Sequence, residues 1–388
     1  MVLSPIAVVG LGFGDEGKGM AVATLSEKRR NQGIPVLVIR HNGGPQAQHN
    51  VRISGIHHTF SQFGSGTLSG CSTLLDSDML IEPLALMHEA DDLSNCCGNI
   101  LEKLAVACDA PLLTKLHAHA ICEIEERRGN DRHGSTGQGI HIAREYEREC
   151  PDQTPRMADI AAPFALYDKL SLVAKWINAK FGVDVTGVDL QQLCIDLHSA
   201  YCDMTACGVN FVHDTREFVA RYIKCQPNAQ LIFESAQGIL LDERYGFYPH
   251  ITDGDMTPQR AYELCRGIPA DLRVLGISRT YHTRHGAGPF PTEGSFVPAY
   301  PDDNKPYKWA GAMRTGLLDA DLFKKAINAV QPNCLAVSCI DQDPHAIMHD
   351  RQRMEVDDVA STLSKIANNA PVVMTGQGQS VEHWQTSL

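Results

Sequence analysis

The chain has 388 residues, 43% hydrophobic and 21% charged, so it can bury a sizeable core in one large domain or two to three smaller ones and does not read as disordered. Lys plus Arg is 34 and Asp plus Glu is 46, and the net charge of −12 speaks against a general nucleic-acid binder, which needs a basic face to displace phosphate counterions. No apolar run reaches the roughly 18–20 residues that span a bilayer, and 13 cysteines without a C-x-x-C pair suit reduced thiols in the cytoplasm.

The opening MVLSPIAVVG has no basic n-region or small-residue cleavage site, and it reads as a buried strand over Ile6–Val9 rather than as a signal peptide. A glycine loop follows, then a segment of helical character from Gly17 to Arg30 and a second apolar run, Val36–Ile39. Strand, loop, helix and strand form a βαβ unit and hence the start of a parallel sheet. Residues 158–230 read mainly as helices and loops, inserted between sheet strands. Leu231–Phe233, Val274–Ile277, Leu335–Val337 and Val372–Met374 are short apolar runs bounded by polar residues or glycine, as strands covered on both faces tend to be. Residues 294–308 hold three prolines and predict an exposed loop. With no repeat, low-complexity tract or long linker, the expected fold is one α/β domain over residues 1–388. It should have a large, mainly parallel central sheet flanked by helices and a helical insertion around 158–230.

The densest local signal is the loop Gly10 to Gly19, GLGFGDEGKG. Gly12-x4-Gly17-Lys18 matches most of a phosphate-binding loop, in which backbone N–H groups, a helix N-terminus and a lysine meet phosphate oxygens; Gly19 replaces the usual Ser or Thr. Gly12-x-Gly14-x-x-Gly17 also fits a dinucleotide fingerprint, but Arg40 stands where an acidic ribose ligand is expected, which leaves an NADP-type variant open. Asp15 and Glu16 beside a phosphate cradle are costly unless they hold a metal or move protons. A second polar cluster, Gly43 to Asn50, follows the second strand and brings His49 toward the same crevice as Asp15. Further glycine-rich clusters follow at His133–Ile140, Phe233–Asp242, Tyr248–Asp255 and Ser278–Glu293, as an active-site rim would require.

The collinear set GDEGKG, GGxxAxxH, GSTGQGI, FESAQGxLLD with YPxIT, and TRHGAGPFPTE resembles the adenylosuccinate synthetase family, from Gly10 to about Asp341. The resemblance implies a fold related to P-loop GTPases, a homodimer, and a reaction that joins L-aspartate to IMP with GTP and Mg2+. It places Asp15 on the base that removes the purine N1 proton, His49 on the acid at the transferring phosphoryl group and Lys18 at the phosphates. Asp15 and the backbone carbonyl of Gln48 fall on magnesium ligands. Gln46, Ser135, Thr136, Gln237 and Thr252 fall on positions for the purine nucleotide; Gly14, Glu16, Gly17, Lys18, Gly19 and Asp341 fall on positions for the triphosphate.

The donor loop departs from the family. Where the family reads roughly T-T-G-R-x-R-R-x-G, this chain has Lys308 to Gly316 with one arginine, Arg314, which is the expected aspartate ligand; Arg284 and Lys305–Lys308 are the nearest replacements for the others. Cys339 replaces a lysine at the guanine site, and Thr375 to Gln379 reads TGQGQ rather than TGPDR. Arg148 and Arg156 are candidates for the arginine that crosses the dimer. A related phage enzyme, 2-aminoadenylosuccinate synthetase, acts on dGMP with serine at the aspartate position. Asp15 speaks against that reading, and intact Asp15, Lys18 and His49 speak against a catalytically silent regulator.

Overall fold

A computed structural model of the chain describes residues 2–300, 306 and 308–388. Ten strands form the main sheet, in the order Trp384–Thr386, Val372–Gly376, Cys334–Ser338, Arg273–Arg279, Ile6–Gly10, Gln230–Gly238, Val36–Arg40, Ser72–Leu75, Leu104–Ala107 and Asn210–Val212. All neighbours pair in parallel except Trp384–Thr386, which returns antiparallel along Val372–Gly376. The predicted large, mainly parallel sheet is therefore present, and each of the six predicted apolar runs lies within one of its strands.

The sheet is buried on both faces, and alternate side chains of one strand enter opposite cores. Ile6 and Val8 join one cluster and Ala7 and Val9 the other; Val36 and Val38 part from Leu37 and Ile39 in the same way. The helix Lys18–Asn31 and the pair Pro163–Phe181 and Leu190–Ala206 cover the first face through residues such as Ala21, Leu25, Leu170 and Leu197. Thr215–Cys225, Ala320–Val330 and Val359–Ile366 cover the second through Val219, Phe323 and Leu363. None of the described helices is long and apolar enough to cross a membrane.

The stretch 158–230 is largely helical, as expected, but it also supplies Asn210–Val212, the edge strand that pairs with Leu104–Ala107. Of the predicted loop 294–308, residues 294–300 carry no regular helix or strand, while 301–305 and 307 lie outside the described residues. A hairpin, His49–Ile53 with Ile56–Phe60, and a four-stranded sheet beginning with Tyr281–Arg284 and Arg314–Asp319 stand beyond the main sheet. Because the main strands are parallel, the loops after Gly10, Arg40, Gly238, Arg279 and Ser338 all emerge at one edge. Ile6–Gly10 is followed in sequence by Val36–Arg40, yet Gln230–Gly238 separates the two and Arg273–Arg279 flanks the other side. Such a switch in winding opens a crevice at that edge.

Candidate active site

The loop after the first strand ends at Gly17, whose φ of 92° starts the helix Lys18–Asn31; Gly14 and Asp15 also have positive φ, 93° and 61°. Glu16 turns into the loop. Its Oε1 accepts from the amides of Gly12 and Gly14 at 2.9 Å each, and its Oε2 lies 2.6 Å from Lys18 Nζ. Burial works to raise the Glu16 pKa, but Lys18 and the amide bonds more than offset it, so the carboxyl is held below its usual range. Gly14 and Glu16, expected against the nucleotide, thus face the inside of the loop, because an internal carboxylate satisfies amides that would otherwise point at an anion. Gly17, Lys18 and Gly19 do line the crevice.

The crevice is a cavity of about 1020 Å³, at the upper end for a small-molecule site. It brings together Asp15, Gln46, Gln48, His49, Ser135, Thr136, Gln237, Thr252 and Asp341. The fold positions each from its own loop. Gly134, at φ 80°, lies so close to the chain at Gly286–Ala287 that a Cβ would stand 2.8 Å from the Ala287 nitrogen, which locks the Ser135–Thr136 turn to the opposite rim. The buried Asp242 carboxylate accepts from the amides of Arg244, Tyr245 and Met256 and shapes the loop that presents Thr252. Asp341 rides on a single helical turn, Ile340–Gln342, reached through Cys339 at φ 57°.

His49 opens the hairpin rather than sitting in a loop. Its Nδ1 lies 2.5 Å from Glu234 Oε1 and its Nε2 3.3 Å from the Ala236 carbonyl. Glu234 also accepts from the Ser65 amide at 2.9 Å and from the Ser65 hydroxyl. Burial works to raise the Glu234 pKa, but the charge of Arg40 and the hydrogen bonds from His49 and Ser65 outweigh it and hold it at about 2. Burial pulls His49 below the usual histidine range, opposed by Glu234. Glu234 therefore carries a charge and holds the ring through Nδ1, with Nε2 turned to the Ala236 carbonyl. Glu234 received no role in the sequence reading, although an acidic residue inside an apolar strand was a visible signal. Arg40 is fully buried and donates to the carbonyls of Phe63 and Ala47, so the NADP-type variant fails: its guanidinium braces the loop instead of facing a ribose phosphate.

The arginines differ from expectation. Arg314 is not among the residues lining the cavity; its guanidinium donates to the carbonyls of Gly286 and Gly288 and pairs with Glu293 at 2.8 Å. The reason is local: two carbonyls of the glycine-rich turn and an acidic side chain offer three acceptors to a planar donor. Arg284 lines the cavity but is itself buried over the Phe13 ring and donates to the carbonyls of Pro289 and His250. Lys308 is exposed and pairs with Glu126, and Lys305 lies outside the described residues. Arg148 pairs with Asp253 within this chain at 2.8 Å, and Arg156 donates to the Asp109 carbonyl. The wall also holds His383 and Trp384, which the sequence did not single out.

Comparison with known proteins follows the same lines. The family profile described as adenylosuccinate synthetase matches residues 7–375. The adenylosuccinate synthetase of Picrophilus torridus is 30% identical over 339 residues, 86% of this chain and 76% of that protein. The adenylosuccinate synthetase of Xylella fastidiosa (strain M12) is 32% identical over 297 residues, 74% of this chain and 65% of its own length. Among solved structures, the fully ligated adenylosuccinate synthetase of Plasmodium falciparum superposes over 100% of both chains with a TM-score of 0.79 at 18% identity. The cyanophage S-2L succinoaminodeoxyadenylate synthetase, bound to dGMP and to dATP as an energy donor, covers 100% of this chain and 96% of its own with a TM-score of 0.67 at 18% identity. At such identity both likenesses concern the fold.

Proposed function

The chain belongs to the adenylosuccinate synthetase family, and from that premise we propose that it joins L-aspartate to C6 of a purine nucleoside monophosphate, IMP first, at the expense of GTP or ATP. The observation that supports this reading is the single cavity shared by Asp15, Lys18 and His49.

A C6 carbonyl oxygen is a poor leaving group, and phosphorylation makes it a good one. Asp15 takes the N1 proton as O6 bonds to the γ-phosphorus, and the bond from that phosphorus to the nucleoside diphosphate breaks. His49, oriented by Glu234, meets the transferring phosphoryl group with Nε2, and Lys18 adds positive charge at the phosphates. The donor amine then attacks C6, phosphate leaves and the nitrogen loses its proton, giving adenylosuccinate. Gln46, Gln237, Ser135, Thr136 and Thr252 hold the purine nucleotide, while Gly17, Lys18, Gly19 and Asp341 hold the triphosphate. The Asp15 carboxylate and the Gln48 backbone carbonyl are hard oxygen donors of the kind Mg2+ selects, on residues of the cavity wall, and a bound ion would neutralise phosphate charge there. A homodimer is part of the proposal, with Arg148 or Arg156 as the crossing residue.

Phosphate release, measured for IMP, dIMP, GMP and dGMP against GTP and ATP with aspartate present, tests the reading. Turnover with IMP and aspartate is expected, and loss of at least about 10²-fold in Asp15→Asn. Preference for dGMP with ATP would place the chain with the phage-type synthetases. No release with any pair would mark it as a silent binder.

A further inference from the structure

The general base has a neighbour to which the proposed mechanism assigns nothing. His285 Nε2 lies 3.4 Å from Asp15 Oδ2 across the cavity wall, with the two side chains about equally shielded at 20% and 23% exposure. Both partners sit on constrained backbone. Asp15 holds a left-handed φ of 61°, and Arg279 Nε donates to its carbonyl. His285 follows the strand Tyr281–Arg284, whose four residues pair with Arg314–Leu317, and the next residue, Gly286, packs against Gly134.

We propose that His285 is the positioning residue for Asp15: its imidazole holds one carboxylate oxygen, so that the other is turned toward the purine N1–H. This rests on the reading of Asp15 as the base. A carboxylate that must accept a proton along one direction gains from a donor fixed on its second oxygen, because that removes rotational freedom before reaction. Hydrogen bonds of this kind are often long before substrate binds and shorten in the complex. The other charged and titratable groups near His285 are engaged with other partners. Arg284 is turned to the carbonyls of Pro289 and His250, Arg314 to those of Gly286 and Gly288, and Lys18 is tied to Glu16. Arg279 meets the backbone carbonyl of Asp15, while His133 and His250 lie edge to face with each other in the cavity lining.

The test compares His285→Leu with His285→Asn, whose amide keeps an N–H donor, and runs Asp15→Asn beside them. His285→Leu should lower kcat about 10–100-fold, the range for a hydrogen bond to a charged group, with the Michaelis constants for both nucleotides changed less than about threefold. Asn should restore most of the rate. A loss confined to kcat in the Leu variant and rescued by the Asn variant is a pattern that a packing role would not produce. An unchanged kcat in a folded His285→Leu enzyme overturns the proposal while Asp15→Asn stays inactive and the base assignment stands. Equal losses in both variants, or a raised Michaelis constant at constant kcat, overturn it as well. An active Asp15→Asn enzyme instead removes the base itself, and the proposal with it.

Discussion

Replacing Glu234 with Gln keeps the shape of the buried side chain and removes its charge. Glu234 is fully buried, accepts from His49 and twice from Ser65, and lies in the field of Arg40. Its pKa falls from an ordinary 4.5 to about 2, which corresponds to about 3 kcal/mol of preference for the ionised state. The folded value is depressed, so this stability is fully present above about pH 4.5 and is lost as the pH falls through about 2. Glu234→Gln should therefore cost about 2–3 kcal/mol in urea unfolding at pH 7, since it also leaves Arg40 without its counter-charge. It should flatten the stability profile across that acidic window. The rate should fall further than the stability suggests. Gln offers His49 either an oxygen or an N–H, and the ring loses the partner that fixes its donor nitrogen. A loss of about 10²–10⁴-fold in kcat is expected, with the purine nucleotide bound nearly as before. The assay is steady-state phosphate release at saturating substrates, with unfolding curves on the same samples. A variant with kcat within threefold of wild type would refute the coupling of Glu234 to His49, whatever its stability.

Other outcomes can be checked alongside. Asp341→Ala should erode a preference for GTP over ATP, because a carboxylate accepts from guanine N1–H and the 2-amino group and adenine has no such pair of donors; equal use of both by wild type and variant would defeat this. Gly17→Ala should destabilise the chain by about 1–3 kcal/mol and abolish triphosphate binding: φ is 92°, and the new methyl would meet the Trp384 ring at 3.2 Å. Arg314→Ala should raise the Michaelis constant for aspartate less than tenfold while lowering the melting temperature. Its guanidinium is held by Glu293 and two carbonyls rather than aimed into the cavity. A steep rise confined to aspartate, against asparagine and glycine as alternative donors, would show that Arg314 turns inward when substrate binds.

The sheet was readable where its strands are covered on both faces, since such strands form unbroken apolar runs. Ile6–Val9 and Val274–Ile277 are of this kind. Ser72–Leu75 and Asn210–Val212 are three or four residues long and begin with a polar residue, so their pairing depends on neighbours distant in sequence. The motif residues around the cavity were legible because glycine loops and polar clusters mark the ends of parallel strands. Side-chain direction was not. Nothing in the spacing of GDEGKG shows that Glu16 turns inward while Asp15 faces the cavity, and the arginine at position 314 is captured by a turn some 21 to 28 residues earlier in the chain.

The central place of Ile6–Gly10 sets an order on biosynthesis. During synthesis this strand has no sheet neighbour until Gln230–Gly238 and Arg273–Arg279 have been made. Until then its unpaired edges and the two faces of IAVVG are exposed on the nascent chain. Contacts of such long sequence separation slow folding, so the glycine loop that follows this strand is completed late, and a chaperone that shields Ile6–Gly10 on the nascent chain would raise the yield of folded protein more than one acting on the finished chain.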